Sequence, residues 1–210
     1  MISTSMSTGN QHETKLEKIH TALTDRGVMQ TRDLVALGVS REYLRKLTLR
    51  GELERIGRGL YCLPDREVTG FHTFAEAGAR VPHGIICLLS ALRFHQITTQ
   101  APFEVWMAID GKVRIPSVPN LPLRVVQFSG IAFTEGVEEH IIEGVPVRIY
   151  SLAKTVADCF KYRNKIGLDV ALEALRESLR AKRVTVDALW AYAKICRVTN
   201  VMRTYLEAMV

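Results

Sequence analysis

Apolar positions recur at helical spacing from Leu16 through Ile19 and Leu23, with Ala22 beside them, and the period stops at Gly27. Val28–Gln30 reads as a short strand. Thr31 stands where a residue would cap a helix carrying Leu34, Val35 and Leu37, closed by Gly38 where a left-handed residue is needed. Ser40 caps the next helix, residues 41–50, with Leu44 and Leu47 facing inward and Gly51 at its end. Leu53–Ile56 and Leu60–Leu63 read as strands around Gly57-Arg58-Gly59, because two glycines permit the positive φ of a tight hairpin. Pro64-Asp65 stops the second strand. Residues 15–64 thus run helix, short strand, helix, short turn, helix, hairpin, which is the order of a winged helix-turn-helix.

Beyond this segment the pattern changes. Residues 71–80 and 85–95 are expected to be helical, the second through the apolar run Ile85-Ile86-Cys87-Leu88-Leu89-Ser90-Ala91-Leu92. Phe103–Ile109 predicts a strand with Asp110-Gly111 as the turn after it, and Pro116, Pro119 and Pro122 mark an irregular connection. Strands follow at Leu123–Phe128, 137–142 and 145–150, the last two joined at Glu143-Gly144. Helical spacing then returns over 151–162, 168–182, 185–197 and 200–209. The expected fold class is α+β, mixed. A flexible tail covers 1–12, a winged helix-turn-helix domain 13–68, and a mixed α/β domain with a helical C-terminal block 69–210.

Composition narrows the function classes. With 47% hydrophobic and 24% charged residues among 210, the chain is neither disordered nor a disulfide framework. The net charge of +6 is unevenly spread: 11 Lys and Arg against 9 acids in 1–70, 6 against 7 in 71–150, and 11 against 6 in 151–210. Such a surplus permits a nucleic-acid partner without demanding one. The late surplus, with Arg176, Arg180, Lys182 and Arg183 on and just after a helix, also complements a helix dipole. Cys62, Cys87, Cys159 and Cys196 are far apart in apolar stretches, as free buried thiols would be. The polar start lacks the basic and apolar regions of a signal peptide, and no apolar run approaches the roughly 18 residues of a membrane span. These features predict a soluble protein of a reducing, cytoplasmic compartment, without membrane association.

Catalytic patterns are few, so no enzyme and no cofactor is expected. The histidines His12, His20, His72, His83, His95 and His140 show no metal-ligand spacing, and no phosphate-binding glycine loop or nucleophile elbow occurs. Asp110-Gly111-Lys112 has the acid-then-lysine order of some metal-dependent nucleases. That chemistry needs a second acid on a neighbouring strand, and Glu104 lies at the wrong end of its own, so a plain turn is expected. His95 reads as a cap or a packed imidazole rather than a base.

The residues that carry a function lie on the helix-turn-helix. With Leu44 and Leu47 on the core, Glu42, Arg45 and Lys46 point outward, flanked by Arg41 and Arg50. Arg41, Arg45 and Lys46, at the start of the helix that Ser40 caps, are the candidates for base edges or nearby phosphates, since arginine can bond guanine O6 and N7 together. Arg50, Arg55 and Arg58 suit the sugar–phosphate backbone, and Thr31 at a helix N-terminus is a further phosphate candidate. The competing reading is a solvated helix face. A second group, Lys154, Asp158, Lys161, Arg163 and Lys165, follows Ser151, itself a possible cap. It reads either as a partner-facing surface or as a half-buried helix with an intrahelical ion pair worth a few tenths of a kcal/mol. A polar network around Asp158 holding that helix onto the sheet is the plainer of the two.

The order Leu34-Val35-Ala36-Leu37-Gly38-Val39-Ser40-Arg41, Leu44-Arg45-Lys46-Leu47 and Gly51-Glu52-Leu53-Glu54-Arg55-Ile56-Gly57-Arg58-Gly59-Leu60-Tyr61 resembles the N-terminal winged helix of AbiEi-type antitoxins. These are bacterial proteins of the abortive-infection, type IV toxin–antitoxin class. Leu89-Ser90-Ala91-Leu92-Arg93-Phe94-His95, Val105–Ile109, Gly144–Val147, Ala153–Phe160, Asn164–Asp169 and Ala171–Leu175 extend the likeness over roughly 14–209. The resemblance implies a repressor binding double-stranded DNA at its own promoter, with inverted repeats. It also implies a second domain that counteracts a nucleotidyltransferase-like toxin. A regulator with a ligand- or protein-sensing second domain and no toxin, and a protein-interaction module, remain the alternatives.

Overall fold

The computed structural model describes residues 14–57, 59–65, 69–98, 100 and 102–209. The tail expected at 1–12 and the wing-tip Arg58 lie outside the described residues. The chain divides into two compact units, Met1–Glu67 and Val68–Val210.

In the first unit, α1 (Lys15–Arg26) starts at Thr14, where two reciprocal bonds satisfy donors the first turn leaves open. The Glu17 N–H donates to the Thr14 hydroxyl at 3.2 Å, and the Thr14 N–H donates to the Glu17 carboxylate at 2.6 Å. β1 (Val28–Gln30) leads directly into α2 (Thr31–Ala36). The cap of α2 is one residue earlier than its sequence suggests: Gln30 holds that position and its N–H donates to Asp33 at 3.2 Å. Thr31 is instead the first helical residue, and both its N–H (2.7 Å) and its hydroxyl (3.1 Å) donate to the Gly59 carbonyl. After Gly38, at φ +83°, Ser40 accepts from the Tyr43 N–H at 3.2 Å and opens α3 (Arg41–Leu49). The wing is β2 (Glu54–Gly57) antiparallel to β3 (Leu60–Cys62), with a bulge between Arg55 and Gly57 that sharpens its twist. β1 pairs with the other side of β3, giving a three-stranded sheet in the order β1-β3-β2. Ile19, Leu23, Leu34, Leu44, Leu47 and Leu53 fill the core between helices and sheet.

Thr31 therefore ties α2 to the wing, and Gly59 makes the tie possible. Its φ is +73°, and a Cβ there would stand 2.9 Å from the Thr31 hydroxyl oxygen. Gly59→Ala is expected to destabilise the first unit by about 1–2 kcal/mol, the cost of left-handed backbone for a residue with a Cβ. Thermal unfolding of the full chain checks this, and Gly70→Ala, with open space around it, serves as the control.

The second unit contains α4 (His72–Arg80), β4 (Ile85–Ile86), α5 (Leu88–Phe94), β5 (Val105–Asp110) and β6 (Leu123–Phe128). It continues with α6 (Ile131–Thr134), β7 (Val137–Ile142), β8 (Val145–Tyr150), α7 (Leu152–Lys161) and α8 (Arg163–Ile166). Its last helices are α9 (Leu168–Arg180), α10 (Val186–Ile195) and α11 (Thr199–Glu207). The five-stranded sheet has the order β6-β5-β4-β8-β7. β5 and β6 are parallel, as are β4 and β8, while the other pairs are antiparallel.

One helical expectation is corrected here. Ile85 and Ile86 form the central strand rather than a helix start, and Leu88, at φ +47°, marks the change to α5. A continuous apolar run is compatible with a buried strand or a buried helix, and this one contains both. The helix expected over 151–162 is α7, and after Tyr162 comes the short α8, for which the sequence pattern predicts no helix. α7 packs against α5, α9, α10 and α11, so it is buried from Leu152 to Phe160. The four cysteines are free and buried. Burial pushes the thiols of Cys87, Cys159 and Cys196 upward, away from the reactive thiolate.

Candidate nucleic-acid interface

The start of α3 is set by Ser40 and its roll by Leu44 and Leu47, both fully buried, with Tyr43 and Thr48 half-buried at the margins. That roll leaves Arg41, Glu42, Arg45, Lys46, Leu49 and Arg50 in water. The exposed cations are not equivalent. Lys46 pairs with Glu42 at 3.4 Å, one turn earlier, and Arg50 lies 3.8 Å from Glu52. The Arg55 Nε donates to the Gly57 carbonyl at 3.1 Å across the bulge. Arg41 and Arg45 make no ion pair among the described residues, and four-residue spacing puts both guanidinium groups on one face.

Leu49 continues the Arg41–Arg45 row and is 75% exposed. Sequence reasoning overlooked it, although its offset from the Leu44–Leu47 stripe was a visible signal. An apolar side chain on such a face suits a thymine methyl group. Thr31 is poorly suited to a phosphate, because its hydroxyl hydrogen and its N–H are both committed to Gly59. A short second helix, a turn through left-handed glycine, a capped third helix and a bulged wing are the parts of a winged helix-turn-helix.

Residues 22–64 match the family described as "Transcriptional regulator, AbiEi antitoxin". The matched segment runs from within α1 to the end of the wing, and over it the resemblance drawn from the residues holds. The match covers the winged helix alone, and over it this chain is similar to a family of transcriptional regulators and antitoxins. No curated protein matches the chain significantly. Among solved structures, the RV2827C protein from Mycobacterium tuberculosis shares the fold, with a TM-score of 0.53 at 14% identity, over 91% of this chain and 78% of that one.

The second group of sequence candidates is not one surface. Lys154 and Asp158 are buried, with side-chain exposures of 0% and 3%. The expected half-buried helix with a marginal ion pair is thus corrected to an ion pair inside the unit. The Lys154 Nζ donates to both Asp158 oxygens at 2.7 and 2.6 Å, and the Cys196 thiol donates to Oδ1 at 3.2 Å. The Lys154 ammonium also lies 4.2 Å from the centre of the Tyr150 ring and 4.9 Å from that of Phe128, so aromatic faces replace part of its lost water. The polar network therefore ties α7 to the end of α10 and, through cation–π contact, to the sheet. Burial pushes the Asp158 carboxyl up to about 6, against the attraction of Lys154. Ser151 holds the cap position of α7 but makes no capping bond, and its buried hydroxyl oxygen has no partner among the described residues.

The three cations that follow take separate roles. Lys161 is exposed, Arg163 donates to the Phe160 carbonyl at 2.9 Å, and the Lys165 ammonium stands 5.5 Å from the Tyr162 ring centre. His95 is buried, and its Nε2–H donates to the Tyr150 carbonyl at 2.8 Å; burial holds the imidazole below its usual range. Asp110 accepts from the Lys112 N–H at 2.9 Å, the bond of a simple turn. Among the described residues no three His, Cys, Asp or Glu side chains gather as metal ligands. No helix among them is long and apolar enough to cross a membrane.

Proposed function

We propose that this protein represses its own promoter through the winged helix and is the antitoxin of a type IV toxin–antitoxin pair. The observation that carries the DNA half is the free Arg41–Arg45 row on α3, set opposite its buried leucines within the segment that matches the AbiEi regulators. In this reading Arg41 and Arg45 reach base edges, with Lys46 beside them, while Arg50, Arg55 and Arg58 hold phosphates. Ser40 fixes the start of the reading helix. Two protomers on inverted repeats would double the contacts. The antitoxin half rests on the family match, and the second unit would oppose a nucleotidyltransferase-like toxin in the cytoplasm.

Fluorescence anisotropy with the duplex upstream of the gene, a scrambled duplex and two salt concentrations tests the DNA half. Selective binding is expected, with log K falling by about 0.9 per phosphate contact for each unit of log salt. Equal, weak binding to both duplexes would remove autoregulation. Co-expression with the neighbouring gene product tests the antitoxin half, and toxicity that this chain fails to relieve would reject it.

A further inference from the structure

The ends of α7 and α10, the end of β6 and the start of α6 enclose a cleft of about 490 Å3, a volume typical of small-molecule sites. Three kinds of chemistry meet in it. Lys161, Lys194 and Arg197 line it, are exposed, and have no carboxylate partner among the described residues. Lys161 and Lys194 also complement the last turns of their helices, and Arg197, at φ +57° just past the end of α10, adds a third cation at the same place. Phe128, Ile131 and Tyr162 form an apolar wall, with Ile131 63% exposed. The buried Asp158 completes the lining.

Asp158 adds a feature that a purely structural ion pair does not need. An ionised carboxylate has about four acceptor sites. Lys154 occupies one on each oxygen and the Cys196 thiol a second on Oδ1, which among the described residues leaves one site on Oδ2. Buried ion pairs seldom stabilise a fold more than well-packed apolar side chains do. Here the residue that carries the acceptor, its side chain 3% exposed, is also one of those that line the cleft.

We propose that the cleft binds a nucleoside phosphate, its phosphate on Lys161, Lys194 and Arg197, its base against Phe128, Ile131 and Tyr162, and a ribose hydroxyl donating to Asp158. An inorganic anion would use only the cations, and an apolar ligand only the wall. A nucleotide uses all three. The site is independent of DNA reading and is tested without DNA.

Isothermal titration of the full chain with the four ribonucleoside monophosphates, adenosine, inorganic phosphate and 2′,3′-dideoxyadenosine monophosphate is the experiment. At least one ribonucleotide should bind, with adenosine and phosphate each at least about tenfold weaker. The dideoxy compound should lose several-fold if Asp158 takes a ribose hydroxyl. The triple variant Lys161→Ala/Lys194→Ala/Arg197→Ala changes only exposed side chains and should weaken the nucleotide by about tenfold or more, with its thermal unfolding unchanged. Absence of binding at millimolar nucleotide, inorganic phosphate binding as tightly as nucleotide, or full affinity in the triple variant overturns the proposal. Equal binding of the dideoxy compound overturns the role given to Asp158.

Discussion

Asp158→Ala is expected to lower the stability of the second unit by about 3–5 kcal/mol, the usual cost of leaving one member of a buried ion pair without its partner. The Lys154 side chain is fully buried, and both of its hydrogen bonds to protein go to this one carboxylate. Its remaining neighbours are the faces of Tyr150 and Phe128, which attract a cation but cannot accept a strong hydrogen bond. Gly136 closes on the stem of this lysine: a Cβ at that glycine would lie 2.8 Å from the Lys154 Cβ. In thermal unfolding the loss should be about 10 °C or more. The double replacement Lys154→Met/Asp158→Leu should recover most of it, since the pair as a whole contributes little beyond what apolar packing would. A single variant as stable as the parent would show that the charge finds water, and so that α7 is less enclosed than described.

Arg45→Ala should cost about 1–3 kcal/mol of binding to the cognate duplex, or about 5- to 150-fold in Kd, and should relax selectivity at one base step. Arg41→Ala should act alike if it too reaches a base edge. The contrast with their neighbours makes this specific. Lys46 is already paired with Glu42, so its removal should cost less, and Arg50→Ala or Arg55→Ala should weaken cognate and scrambled duplexes together. Anisotropy titrations against a panel of single-base operator variants separate the two patterns. An unchanged selectivity profile in Arg45→Ala would take Arg45 off the base-reading face. None of these exposed substitutions touches Leu44 or Leu47, so folding should be preserved.

The winged helix was legible because its signals are local. Gly27, Gly38 and Gly51 all adopt positive φ at the ends of α1, α2 and α3, and the Ser40 cap and the wing glycines act within a few residues. The Glu42–Lys46 pair was equally readable, since four-residue spacing puts an acid and a base side by side on the outward face. The second unit was harder, for reasons of distance along the chain. Ile85 and Ile86 form a strand only because residues near 107 and 149 flank them, which no local window reports. Lys154 and Asp158 are spaced like a surface pair, and only the packing of α5, α9, α10 and α11 around α7 buries them. The cleft beside them joins residues from 127 to 197, so its cations could be counted in the sequence but not assembled.

The pairing of β4 also orders events during synthesis. Every strand pair of the first sheet lies within residues 28–62, so that sheet can close as soon as the wing has left the ribosome. The second sheet must wait: the parallel neighbour of Ile86 is Ile149, and until that residue emerges its two halves are joined only through a chain still being made. Long-range pairing of this kind is slow and leaves apolar edges open meanwhile. A nascent chain should therefore carry a finished winged helix while the second sheet is still incomplete and open to proteases.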